Sequence, residues 1–144
     1  MSIAFYVPEL NNSELNIEIY KCLNDAVENN KSNDASLFIN NVNFMDKPVK
    51  FGVFNSTELW NYTGLLVTTT LDLASFARSV VNKFTHVFYA GNKSSNLMAF
   101  IDTINNVPAF VLDAEEQKEV KRITGKILPI LRLDAASIQQ EFVK

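Results

Sequence analysis

Apolar residues alternate between two spacings along this chain, and the alternation predicts strands and helices in turn. The clearest stretch runs from residue 64 to residue 92. Leu65, Leu66 and Val67 form a short apolar run, and Thr68, Thr69 and Thr70 extend it with strand-compatible residues, as in a strand buried on both faces. Leu71, Ala74, Phe76, Ala77, Val80, Val81 and Phe84 then recur every three or four positions, the period of a helix with one apolar face. Residues 86–90 give a second apolar run, and Gly91-Asn92 a turn. Strand, helix and strand in this order predict a parallel pair with a right-handed crossover.

The same alternation extends over the rest of the chain. Residues 3–7 predict a first strand that Pro8 ends, since proline removes a ladder donor. Ser13 is placed to cap a helix whose apolar face carries Leu15, Ile19, Cys22, Leu23, Ala26 and Val27. Strands follow at 36–39 and 51–54, separated by an irregular segment at 40–50. Asn55, Ser56 and Thr57 then cap one helical turn that carries Trp60 and Tyr62. Beyond the central unit, Ser94 or Ser95 caps a helix bearing Leu97, Met98, Phe100, Ile101 and Ile104, stopped at Asn105-Asn106. A sixth strand at 108–112 leads into a charged helix, 114–124, with Asp113 as cap and Gly125 just past its end. Residues 127–131 predict a seventh strand, at an edge because of Pro129, and Asp134 caps a last helix. Phe38, Phe51, Phe54, Phe88 and Phe110 fall within strands and are expected in the core.

The pattern predicts one α/β domain over residues 1–144: Rossmann-like and doubly wound, with a mostly parallel sheet of six or seven strands and helices on both faces. Composition agrees: 47% hydrophobic and 20% charged residues suit a globular chain of 144 residues. The net charge is -3, and Lys and Arg form no stripe, so nucleic acid is not an expected partner. No segment approaches the roughly 18 apolar residues of a membrane span, and the start lacks the order of a signal peptide. The expected location is therefore cytoplasmic. Abundant Asn and a preference for Lys over Arg are traits of AT-rich coding sequences, phages among them.

Several chemistries are argued down. The chain has four glycines, none in the first turn, so the three-glycine dinucleotide fingerprint is missing and no cofactor is expected. One cysteine and one histidine leave no transition-metal set and no disulfide. Cys22 is expected to pack on the first helix, and His86 to be a structural or partly exposed histidine. A phosphoacceptor receiver domain needs an aspartate after the third strand, where this chain has Asn55 and hence no nucleophile.

What remains is the carboxyl edge of the sheet, where ligands bind in open α/β folds. Polar turns fall there at residues 9–13, 55–58, 68–72 and 91–95, each before a helix whose free N–H groups favour an anion. Gly91 is expected to let backbone approach a ligand, and Lys93 adds a cation. Asn11, Thr69, Asp72, Asn92 and Lys93 are the candidate contacts, although Ser, Thr, Asn and Asp also cap helices. Thr70 or Asp72 serves the helix of the central unit in that way. Trp60, Asn61 and Tyr62 offer an aromatic pair with an amide that could stack on a sugar or base, cover the sheet edge or meet another subunit.

The opening, Ile3 through Val7 then Pro8-Glu9-Leu10-Asn11-Asn12, resembles the start of GT-B fold glycosyltransferases, a strand followed by a Pro-x-Leu-Asn-type turn into the first helix. The resemblance covers about the first thirty residues and implies one Rossmann-like half of such an enzyme, with a nucleotide or sugar as ligand. Where the family usually has a Gly-Gly pair, this chain has Ser13-Glu14, and the half that binds the nucleotide-sugar donor has no counterpart at this length. Two functions are therefore carried forward: a glycosyltransferase-like domain that binds a nucleotide or sugar, and a non-catalytic interaction module, such as a homo-oligomer subunit.

Overall fold

The computed structural model describes residues 2–29, 35–42, 49–80, 84–92 and 95–143. The described strands are β1 (Ile3–Leu10), β2 (Ala35–Val42), β3 (Gly52–Asn55), β4 (Leu65–Thr68), β5 (Thr85–Tyr89) and β6 (Ala109–Phe110). They form one sheet in the order β3-β2-β1-β4-β5-β6, and every pairing is parallel. The chain builds outward from β1 to β3, returns beside β1 at β4, and builds outward again. The fold is thus Rossmann-like and doubly wound, with its topological switch between β1 and β4.

Helices α1 (Glu14–Asn29), α2 (Leu71–Ser79), α3 (Leu97–Asn106), α4 (Ala114–Thr124) and α5 (Ala135–Phe142) flank the sheet, with a 3₁₀ turn at Ser56–Asn61. Register decides which side chains share a face. Phe5 stands between Leu37 and Val67, and Val67 beside Val87. These residues pack with Ile19 and Leu23 of α1 and Ile138 of α5. On the opposite face Tyr6, Phe38 and Leu66 meet Leu59 and the Leu73 and Ala77 side chains of α2. Farther along that face, Phe88 and Ala109 meet Phe100 and Ile104 of α3 and Val120 of α4. Because both faces are covered, the central strands are apolar throughout, not alternating.

Caps explain where the helices begin. Ser13 Oγ accepts the Asn16 N–H at 3.3 Å, Thr70 Oγ1 that of Leu73 at 3.3 Å, and Asp113 Oδ1 that of Glu116 at 2.8 Å. Asp134 Oδ1 does the same for Ser137 at 2.8 Å. Gly125 closes α4 with φ 79°, the left-handed conformation that glycine adopts freely.

Five expectations are corrected. Pro8 lies inside β1, because β4 stops opposite Tyr6 while β1 continues against β2 alone, with Val7 and Glu9 in register on either side of the proline. There β1 is locally an edge, so a missing N–H is tolerated. Helix α2 ends at Ser79, with Val80 as its C-cap; Phe84 therefore lies beyond the helix and packs as a half-buried side chain near Tyr62, while Val81 lies outside the described residues. Asn96 caps α3, its Oδ1 accepting the Ala99 N–H, where Ser95 had been expected; Ser94 is outside the described residues. Phe54, expected in the core, is exposed on the edge strand β3, as are Leu97 and Met98 in the first turn of α3. The expected seventh strand is a single parallel bridge, Val111 to Ile130. Val111 donates to the Pro129 carbonyl at 3.0 Å and accepts from the Leu131 N–H at 2.9 Å; Pro129 has no N–H with which to extend the ladder.

Candidate functional site

The switch point between β1 and β4 is the first place to look for a site, and its polar groups are bonded to one another. Thr69 is buried, its hydroxyl donates to the Tyr6 carbonyl at 3.0 Å, and its own carbonyl accepts from Asn92 Nδ2 at 2.5 Å. This chain of bonds laces the ends of β1, β4 and β5 together across the switch. Asn11 is bonded within its own turn. Its Oδ1 accepts from the Ser13 N–H and Asn16 Nδ2, its Nδ2 donates to Glu9 Oε1, and its carbonyl accepts the Tyr20 hydroxyl at 2.7 Å. Asp72 is exposed in the first turn of α2, where a carboxylate favours the helix dipole. Lys93 lies outside the described residues. Of the candidate contacts, then, the structure joins Thr69 and Asn92 directly.

A cleft of about 650 Å³ opens instead at the carboxyl ends of β5 and β6, one crossover away from the switch. The turn after β5 contributes Gly91 and Asn92. Helix α3 contributes Leu97 and Phe100, and α4 contributes Val120 and Ile123, so part of the wall is apolar. Among the described residues, Asp113, Glu115, Glu116 and Glu119 bring carboxylates to it, and Arg122 a guanidinium. Arg122 is engaged by Glu119 through Nε at 3.1 Å and through Nη2 at 2.5 Å.

Glu116 is the best-fixed member. Its Oε2 accepts the Tyr89 hydroxyl at 2.6 Å, and its Oε1 accepts the Leu112 N–H at 2.8 Å. Burial pushes the Tyr89 hydroxyl pKa far up, and the Glu116 carboxylate pushes it further, so Tyr89 stays a proton donor. Gly91 lines the cleft, and its lack of a side chain also has a cause inside the protein. A Cβ at Gly91 would overlap Tyr89 Oη and Glu116 Oε2, so the space that glycine leaves is filled by the protein's own Tyr–Glu pair.

The two residues with nucleophilic or basic chemistry are both quiet. His86 Nε2 lies 2.8 Å from Thr68 Oγ1, and that hydroxyl reaches the Val87 carbonyl at 3.4 Å; the Nε2–H donor tautomer fits this chain. Burial, and secondarily Arg78, lower its pKa to about 4. Cys22 is buried on α1, and burial, then Asp134 and Asp25, push its thiol up to about 12, so almost no thiolate forms at neutral pH. Asn55, where a receiver domain would carry its aspartate, caps the 3₁₀ turn by accepting the Thr57 N–H at 3.1 Å. Among the described residues no group of three or more His, Cys, Asp or Glu is placed to hold a metal ion, and no helix is long and apolar enough to cross a membrane.

The contribution of α4 was missed in the sequence, where it is marked only as a charged helix capped by Asp113. The available signal was Val120 with Ile123, an apolar pair three apart on an otherwise polar helix, following the capping pattern Asp113-x-x-Glu116.

Fold and cleft together define a Rossmann-like α/β domain with an acidic, partly apolar cleft off its carboxyl edge. Comparisons of the chain with protein-family models, curated proteins and solved structures return no match.

Proposed function

We propose that this domain binds a saccharide-type ligand in the cleft between α3 and α4, as a glycosyltransferase-like binding module. The observation that carries the reading is the make-up of that cleft: apolar side chains on part of its walls, the Glu115 carboxylate with the Arg122-paired Glu119 one turn on, and a position at the strands' carboxyl ends. Apolar walls suit the C–H faces of a sugar ring, and carboxylates accept hydrogen bonds from its hydroxyls. The likeness of the opening residues to GT-B fold enzymes points to the same ligand class.

A thermal-shift screen of monosaccharides and nucleotide sugars tests this. A ligand with a Kd of about 1 mM, present at about 10 mM, stabilises by about 1.4 kcal/mol and raises Tm by about 4 °C in a chain of this size. We expect at least one saccharide to reach that shift; a flat response across the panel contradicts the reading.

A second reading, a homo-oligomeric interaction module, is favoured by one observation. Phe54 on edge strand β3 and Trp60 on the 3₁₀ turn are 44% and 50% exposed. A monomer at all concentrations in sedimentation would remove it.

A further inference from the structure

We infer that the cleft is selective by charge, taking uncharged or amine-bearing saccharides and turning away phosphorylated ones. This rests on the saccharide reading above and sharpens it.

Two observations carry it independently. The first is what stands beside Gly91. In phosphate-binding turns a glycine leaves room for phosphate oxygens against backbone N–H groups. Here that room is taken by Tyr89 Oη and Glu116 Oε2. The carboxylate is held there by the Tyr89 hydroxyl at 2.6 Å and the Leu112 N–H at 2.8 Å. A phosphate drawn to this turn meets a fixed carboxylate oxygen where open amides would be needed.

The second is the state of the cleft's positive group among the described residues. Arg122 is forked onto Glu119. The free N–H at the third residue of α4 is already taken by Asp113 Oδ1. The helix end that would attract an anion therefore carries its own carboxylates. Among the described residues, what the cleft offers a ligand is chiefly carboxylate oxygen, with Glu115 beside the internally bonded Glu116 and Glu119; these suit hydroxyl or ammonium donors and repel a phosphate.

Matched ligands test the inference. Glucose, glucosamine and glucose 6-phosphate, with the galactose and mannose equivalents, are titrated calorimetrically at low salt into the wild-type protein and the double variant Glu115→Gln/Glu119→Gln. We expect the neutral or amino sugar of the binding series to bind at least about tenfold more tightly than its 6-phosphate. The double variant removes two carboxylates and releases Arg122, and is expected to narrow the gap to about threefold or less. The single Glu115→Gln change, at an exposed side chain, is expected to narrow it in part, which keeps the test decisive if the double variant folds poorly. A 6-phosphate that binds equally well or better overturns the charge selectivity and leaves the saccharide reading standing. Absence of binding by every sugar overturns both.

Discussion

Replacing Gly91 with alanine is expected to lower the stability of the folded protein by about 3 kcal/mol in urea denaturation. The new methyl group has to enter space held by Tyr89 Oη and Glu116 Oε2. Overpacking alone costs about 1–3 kcal/mol, and loss of a hydrogen bond to a charged group about 1.5–3 kcal/mol. The two costs overlap, because moving Glu116 also releases the Leu112 N–H that its other oxygen accepts. The steric origin has its own control. Tyr89→Phe removes the nearest of the three atoms in the way, leaving Tyr89 Cζ and Glu116 Oε2, so the Tyr89→Phe/Gly91→Ala pair is expected to cost somewhat less than the sum of the single changes. Strict additivity would mean that the Tyr89 hydroxyl is not among the atoms the methyl group displaces.

Stability is also expected to fall by up to about 3 kcal/mol between pH 6.5 and pH 4 on account of His86 alone. Its folded pKa is lowered from 6.5 to about 4, first by burial and then by Arg78. Above pH 6.5 the imidazole is neutral in both states and the stability is complete. As pH falls through the window, the unfolded chain binds a proton that the folded chain refuses, so folding is disfavoured progressively; below about pH 4 both states are protonated and the loss is full. Each pKa unit of difference corresponds to about 1.4 kcal/mol, which gives the size. Urea midpoints measured across this range check it. In His86→Gln, whose amide can still donate to Thr68 Oγ1, the histidine part of the slope should vanish. An unchanged slope would assign the pH dependence to the carboxylates.

Much of the fold was legible because few residues in its centre have a conflict to settle. The apolar runs at β1, β4 and β5 are buried on both faces, so hydrophobicity alone marks them. Ser13, Asp113 and Asp134 are caps that read directly from their spacing to the helices they start. The misreadings fall where a local signal depends on a neighbour that the sequence does not name. Pro8 reads as a strand end unless it is known that β4 stops beside Tyr6. Phe84 continues a helical spacing from Val80, and no glycine or proline marks the break at Ser79. Leu97 and Met98 have the right spacing for a buried face but lie in the first turn of α3.

The candidate site was legible only as an edge. Thr69 and Asn92 were named from their turns, and they do meet, but as the lacing between strand ends. The cleft depends on how α4 comes to lie beside the β5 turn, which brings Glu116 to Tyr89 across 27 positions of sequence. Turn chemistry near Gly91 carries no record of that partner, so a glycine that admits its own protein's carboxylate looked the same as one that admits a ligand.

The central claim, that a saccharide occupies the cleft between α3 and α4, is tested most directly by mapping amide chemical shifts during titration with the tightest-binding sugar of the panel. The account predicts saturable changes centred on Gly91, Asn92, Leu97, Phe100, Glu116 and Glu119. Changes centred on residues 10–13 and 69–72, at the switch between β1 and β4, would contradict it.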